Sequence, residues 1–317
     1  MSPIDNGPGL LFGGGGIGDE IPTLEEVQEL LTVLKQRGVS RIDTAALYPP
    51  LNIGASETLL GQAGAAEQGF IIDTKILALG LEADGTLEPS AIEKSLNTSY
   101  DRLNLKGGTV NLLCCHAVDH TTPLENQLAA LDTQYKKGRF KKLGVVNYPM
   151  NLMSDIMDIC QREGYVKPTV YIGRYNVLCR EIEEMLPILR GYGMTVDAHS
   201  AVGGGFLSGR LTAGDVEGTR FSPGNIMGAH ARQQYDHKEM HDAIQALSGI
   251  LEPAGIGLAE GAVRWLFYHS KLESEDGMIV SGSSIAQVVQ NLDAIRRGPL
   301  PASIVEAMSG IKVSIGT

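Results

Sequence analysis

The sequence predicts an α/β fold, a (β/α)8 barrel with a long loop after strand 7 and a C-terminal helix. Three observations predict it. Short apolar runs alternate with stretches of helical periodicity along the chain, so the strands pair in parallel through right-handed crossovers. About eight such units follow one another without a break in composition, which favours a closed barrel over an open sheet. One Gly-rich segment, Gly203 to about Tyr235, departs from the rhythm and marks a functional loop. The 317 residues are read as one domain, 1–317, because a single barrel uses roughly 250 residues or more.

The elements follow in order. Gly9–Phe12 is a short apolar strand leading into Gly13–Gly18. Thr23 and Glu26 form a capping box, with Val27, Leu30, Leu31 and Leu34 at helical spacing and Gly38 as the stop. Arg41–Ala45 is the second strand, Ser56–Gln62 a helix and Phe70–Ile76 the third strand. Pro89–Tyr100 is a helix with proline in its first turn, Thr109–His116 a strand, and Leu124–Lys137 a helix ending at Gly138. Leu143–Asn147 and Thr169–Ile172 are strands, separated by a helix at Met150–Glu163. Glu181–Tyr192 is a helix and Thr195–Val202 the seventh strand. After the Gly-rich segment come helices at about Lys238–Leu251 and Leu258–His269, a strand at Met278–Ser281, and helices at Ile285–Ile295 and Ala302–Lys312.

Composition narrows the function classes. Apolar residues are 43% and charged residues 20%, as in a globular enzyme. A formal net charge of −11 argues against nucleic-acid binding and against an anionic membrane surface. The four cysteines, Cys114, Cys115, Cys160 and Cys179, have neither metal-ligand nor CxxC spacing, which fits a reducing cytoplasm, and no metal is expected. Met1–Gly9 lacks the features of a signal peptide, and no run of 18 apolar residues predicts a membrane span. Lys136–Lys142 is basic and reads as a solvated turn, while the sequon at Asn97 falls on a helix.

In such a barrel, chemistry sits at the C-terminal ends of the strands. Asp43 lies near the end of the second strand, Tyr48 in the loop after it, Lys75 near the end of the third and His116 at the end of the fourth. Singly, each has a bland reading: a loop anchor, a solvated cation, a structural imidazole, a packed ring. Jointly they suit proton donation to a carbonyl. A phenol at its reference pKa of about 10 is a poor acid at neutral pH. A nearby ammonium lowers that value, a carboxylate keeps the ammonium charged, and an imidazole positions the carbonyl oxygen. Reduction also requires a hydride, which implies a nicotinamide cofactor. The run Gly13–Gly18 matches G-x-G-x-x-G, but Asp19-Glu20-Ile21-Pro22 separates it from the helix start, so it reads as a first loop lining the substrate mouth.

Several motifs in order, Asp43-Thr44-Ala45-x-x-Tyr48, Gly54-Ala55-Ser56-Glu57-Thr58-Leu59-Leu60-Gly61, Thr74-Lys75, His116-Ala117-Val118-Asp119-His120, Leu143–Tyr148 and Gly282-Ser283-Ser284 with Asn291, resemble the aldo-keto reductases. Tyr175-Asn176-x-Leu178-Cys179-Arg180-Glu181-Ile182-Glu183 and Gly203–Arg210 are most similar to the aflatoxin-aldehyde reductase branch. The resemblance implies NADPH-dependent reduction of aldehydes and ketones. Tyr48 is then the proton donor, Lys75 lowers its pKa, Asp43 pairs with Lys75 and also borders the cofactor, and His116 orients the carbonyl. It further implies that Asn147 holds the nicotinamide carboxamide. Ser200, Val202, Gly204, Leu207, Gly209 and Arg210 belong to the loop around the pyrophosphate. Arg220 is another cofactor contact, expected to favour the 2′-phosphate, and Ser283, Gln287, Gln290 and Asn291 form the adenosine end. The sequence departs from the family pattern around the nicotinamide, with Val146 for the usual Ser, Ile172 for a common Gln, and His199-Ser200-Ala201 for aromatic-Asn-Pro. His199 is expected to stack on the ring in place of that aromatic. The partner implied is a small carbonyl substrate, and the resembling branch includes homodimers. The alternative is a cofactor-binding regulatory subunit of the channel-associated kind, disfavoured by the lack of a long N-terminal inactivation segment.

Overall fold

A computed structural model describes residues 7–78 and 83–313. Eight parallel strands are hydrogen-bonded in chain order and close on themselves. They are β1 (Gly9–Gly13), β2 (Arg41–Asp43), β3 (Ile71–Lys75), β4 (Val110–Cys115), β5 (Phe140–Val146), β6 (Pro168–Arg174), β7 (Thr195–His199) and β8 (Gly277–Val280). Closure is made by β1 against β8, with Leu11 opposite Ile279. The outer layer comprises α1 (Leu24–Gln36), α2 (Ala55–Gln62), α3 (Pro89–Arg102), α4 (Leu124–Lys136), α5 (Met150–Glu163) and α6 (Ile182–Gly191). It continues with α7 (Ile226–Tyr235), α8 (Lys238–Leu251), α9 (Leu258–His269), α10 (Ile285–Arg296) and α11 (Ala302–Ser309). The predicted barrel is thus the observed one.

Alternation along the strands divides the core in two. Leu11, Leu112, Cys114, Val170, Ile172 and Ile279 fill the barrel interior, with Val146 packed against them. Phe12, Ile42, Leu113, Cys115 and Val145 face outward onto the helices. Neighbouring cysteines on β4 therefore point to opposite sides, and all four cysteines are buried thiols. The α1 capping box is present, with Glu26 N–H donating to Thr23 Oγ1 at 3.2 Å and Thr23 N–H to Glu26 Oε2 at 3.1 Å.

Three expectations are corrected. First, β5 begins at Phe140, so Lys141 and Lys142 lie in the strand with exposed side chains instead of in a solvated turn. Second, the seventh strand stops at His199, because Ser200 turns into the left-handed region at φ 62°. Third, the segment after β7 is not all loop. Asn225 caps α7 by accepting the Gly228 N–H at 3.1 Å. Gly228 weakened the helical signal, yet a Cβ there would come 2.1 Å from the Arg220 carbonyl oxygen. That glycine lets α7 press against the stretch carrying Arg220.

The N-terminal end of the barrel holds an ionic network that the sequence did not suggest. Arg41 on β2 spans the interior to Asp197 on β7 at 2.7 Å and pairs with Asp73 on β3 at 2.5 Å. Asn111 donates to the other Asp73 oxygen at 2.7 Å. Both carboxylates are almost fully buried.

The Tyr175–Glu183 motif is structural here. Arg180 lies 4.2 Å over the Trp265 ring and donates to the Met308 carbonyl of α11 at 3.3 Å. Tyr175 donates to Glu183 at 2.7 Å. Asn176 donates to the carbonyl of Ser200 at 3.1 Å, tying this motif to the end of β7.

Candidate active site

The C-terminal rim is built around the turn after β2. The Tyr48 carbonyl accepts the N–H groups of Gly54 (3.2 Å) and Ser56 (3.1 Å), so the start of α2 shapes the loop that presents the phenol. Gly54 has φ 83°, and a Cβ there would meet the Arg102 guanidinium at 2.1 Å, so a side chain here would be strained and would displace Arg102. Ser56 Oγ donates to the Gly14 carbonyl at 2.9 Å and shares a hydrogen bond of 2.7 Å with Thr44. Beneath them, buried Glu57 accepts from Thr74 at 2.6 Å. These supports, Ser56 and Glu57, were visible only as parts of a motif and carried no chemical signal of their own.

Lys75 is buried at the centre. Its ammonium donates to both Asp43 oxygens, at 2.6 and 2.7 Å, and to the Thr44 carbonyl at 2.9 Å. Burial alone would lower its pKa, but the Asp43 charge overrides that and the net direction is upward. The ammonium lies 4.8 Å from the Tyr48 ring centre. His116 meets the same ring edge-on, with centroids 5.3 Å apart. Burial and the charge of Lys75 push the His116 pKa down to about 3, so the imidazole is neutral near pH 7. Its Nδ1 is buried without a hydrogen-bond partner among the described residues.

The phenol differs from expectation. Burial raises the Tyr48 pKa, Lys75 pulls it back, and the net direction is upward. The ammonium therefore moderates a costly burial and does not bring the group down to neutral pH. The Tyr48 phenol therefore keeps its proton near neutral pH.

A groove of about 890 Å³ runs from these four residues across the rim to the start of α10. The end at these four residues is also bordered by Gly15, Leu47, Pro50, Val118 and His120. Of the predicted contacts, Asp43, Asn147, Ser200, Val202, Gly204, Arg210, Arg220, Ser283, Gln287, Gln290 and Asn291 all face it. Two do not. Leu207 is buried in the core, and Gly209 sits where a Cβ would come 2.6 Å from Leu258. Gly205 and Ser208 face the groove in their place, and Glu20 of the first loop also lines it.

Its polar partners are specific. Gly204 (φ 63°) and Gly205 (φ 99°) hold a turn that brings backbone to the groove wall. Arg210 is held by Asp215 at 2.7 Å, and Arg220 pairs across the groove with Glu20 at 3.2 Å. At the far end Ser283 Oγ donates to Gln287 at 3.0 Å, and Asn291 to the Ser281 carbonyl at 2.9 Å. Val146 and Ile172 join the apolar packing inside the barrel and also line the groove.

The model of the Aldo/keto reductase family matches residues 9–312. Human aflatoxin B1 aldehyde reductase member 2 is 34% identical over 289 residues, covering 86% of this chain and 78% of the human protein. Aldo-keto reductase pigE of Monascus ruber is 31% identical over 322 residues, covering 96% and 92%. The structure of aldo-keto reductase AKR11C1 from Bacillus halodurans, in its holo form, superposes with a TM-score of 0.74 at 20% identity, covering 97% of this chain and 93% of that one. That likeness concerns the fold. Among the described residues no helix is long and apolar enough to cross a membrane. From the family match and the extent of these identities, the chain belongs to the aldo/keto reductase family of oxidoreductases, and its relatives include the aflatoxin aldehyde reductases.

Proposed function

We propose that the protein is an NADPH-dependent reductase of aldehydes and ketones, with Tyr48 as general acid. The observation that carries this reading is the buried Lys75–Asp43 pair placed beside Tyr48 and His116 at one end of an elongated groove. The groove suits a dinucleotide: apolar walls at the catalytic end, a glycine turn at its middle and amide side chains at its far end. Asn147 would hold the nicotinamide carboxamide, Ser200 to Arg210 would border the pyrophosphate, and Ser283, Gln287, Gln290 and Asn291 would receive the adenosine. When bound, the cofactor supplies the hydride.

This chain's residues handle the proton. Neutral His116 offers one N–H to the carbonyl oxygen and fixes its approach to Tyr48. The Tyr48 hydroxyl passes its proton to that oxygen as negative charge develops. Lys75, charged and held by three acceptors, stabilises the phenolate left behind. Leu47, Pro50 and Val118 exclude water from the apolar part of the substrate. The aldehyde reductases among the relatives support aldehydes as the substrate class.

The test is cofactor consumption with a panel of aromatic aldehydes and dicarbonyls. Turnover with NADPH is expected, and NADPH is expected to outperform NADH through Arg220, whose guanidinium would exchange Glu20 for the 2′-phosphate. Arg220→Ala should then weaken NADPH while leaving NADH nearly unchanged. Equal use of both cofactors by the unaltered enzyme removes the 2′-phosphate assignment.

A further inference from the structure

We propose that His199 is a positioning residue that orients the Asn147 amide for the nicotinamide carboxamide, with Ser200 setting the imidazole tautomer. The inference rests on the cofactor reading above.

One donor at this site has no choice of role. The backbone N–H of Arg174 donates to Asn147 Oδ1 at 3.3 Å. A backbone amide can only donate, so this contact fixes which end of the Asn147 side chain is oxygen. The His199 Nε2 lies 3.4 Å from the same oxygen. Facing an acceptor, Nε2 must carry the proton. His199 Nδ1 is then an acceptor, and it lies 2.9 Å from Ser200 Oγ, whose hydroxyl donates to it. The direction of every proton in the chain Ser200–His199–Asn147 follows from the Arg174 amide. Asn147 Nδ2 is left to donate into the groove.

Two further observations support a functional arrangement. Among the described residues, three non-glycine residues adopt left-handed φ, and two of them are Asn147 (51°) and Ser200 (62°). Such conformations cost roughly 1–3 kcal/mol each and persist where the surroundings enforce them. Here Asn147 N–H is held by the Ile172 carbonyl at 2.9 Å, and the Ser200 carbonyl by Asn176 at 3.1 Å. Burial, with the charges of Arg174 and Lys75, pushes the His199 pKa down to about 4, which keeps the ring neutral and the tautomer meaningful near pH 7. The chain also answers a deficit. Val146 and Ile172 bring no hydrogen-bonding side chain to this end of the groove, so a single amide must be held in one orientation.

Both His199 nitrogens are engaged at the ring edge, which separates this role from stacking. The variants are His199→Gln, whose Nε2 can reach the position of the imidazole Nε2 but has no ring, and His199→Phe, which has a ring but no donor. Binding of NADP+ and of 2′-phospho-ADP-ribose, which lacks the nicotinamide, is measured by titration calorimetry. The expected result for His199→Phe is about tenfold weaker NADP+ binding, the equivalent of about 1.4 kcal/mol, with 2′-phospho-ADP-ribose unchanged. His199→Gln should recover most of the loss. The proposal is overturned if His199→Phe binds NADP+ normally while His199→Gln does not, since that is stacking. Equal weakening of both ligands also overturns it, since that is a change of groove shape. An unaltered protein that binds neither NADP+ nor NAD+ removes the cofactor reading itself, a separate failure. If it prefers NAD+, the ligand pair becomes NAD+ and ADP-ribose. Nitrogen-15 spectra provide a check that needs no ligand: at neutral pH the His199 proton should reside on Nε2, and a proton on Nδ1 contradicts the chain.

Discussion

Replacing Tyr48 by Phe is expected to lower aldehyde reduction by about a hundred- to ten-thousandfold, the contribution of a positioned general acid. The change removes one oxygen from a site whose shape is set by other groups. Gly54 and Ser56 hold the Tyr48 backbone carbonyl, and His116 packs on the ring edge, so both contacts survive the substitution. Lys75 retains Asp43 and Thr44. Cofactor titration should therefore be nearly unchanged while turnover collapses. The pH dependence has a definite sign as well. Because burial raises the Tyr48 pKa above its ordinary value, the phenol stays protonated across the neutral range. Reduction should not decline with loss of this proton between pH 6 and 9, a range well below the ordinary phenol value of about 10. A steep fall in that window, dependent on Tyr48, would count against the assignment.

The largest expected effect on stability lies at the opposite end of the barrel. Arg41→Met leaves Asp73 and Asp197 buried without their shared cation, and should cost about 3–5 kcal/mol in denaturant unfolding at neutral pH. The loss should shrink in acid. Burial pushes the Asp73 pKa up to about 6, with Arg41 pulling against it, and burial likewise raises Asp197. The unfolded value is about 3.9. A carboxyl group with a raised folded-state pKa favours the folded protein when protonated. Its contribution is complete below about pH 4 and is lost as pH rises through about 6. Without Arg41 both values rise further, so acid neutralises the stranded charges. Unfolding midpoints of Arg41→Met and the unaltered protein should converge from pH 7 to pH 5. A constant difference across that range means that the two carboxylates do not carry the penalty.

These two clusters show what a linear sequence reveals. The barrel was legible because each strand and helix carries its own period. Asp43, Lys75 and His116 were legible because strand ends place them on one rim. Arg41 was not, since an arginine opening a strand reads as solvated, and its partner Asp197 is on β7, across the interior. The first half of β5 was masked by Lys141-Lys142, and α7 by the glycine that lets it pack. The link from His199 to Asn147 joins the ends of β7 and β5, two strands with β6 between them. Neither residue's period or neighbours signal that contact. Arg220 reads in the sequence as a cofactor contact, and its pairing with Glu20 is not legible there because it depends on how the first loop folds back.

In the proposed reaction one groove holds a hydride donor against the Tyr48 proton donor. The most direct measurement uses an aromatic aldehyde and NADPH deuterated at the hydride-bearing carbon, followed by mass analysis of the product. The expected product is an alcohol carrying deuterium on its carbinol carbon, formed by the unaltered protein and nearly absent with Tyr48→Phe. Alcohol without deuterium, or labelled alcohol formed equally well by Tyr48→Phe, would contradict it.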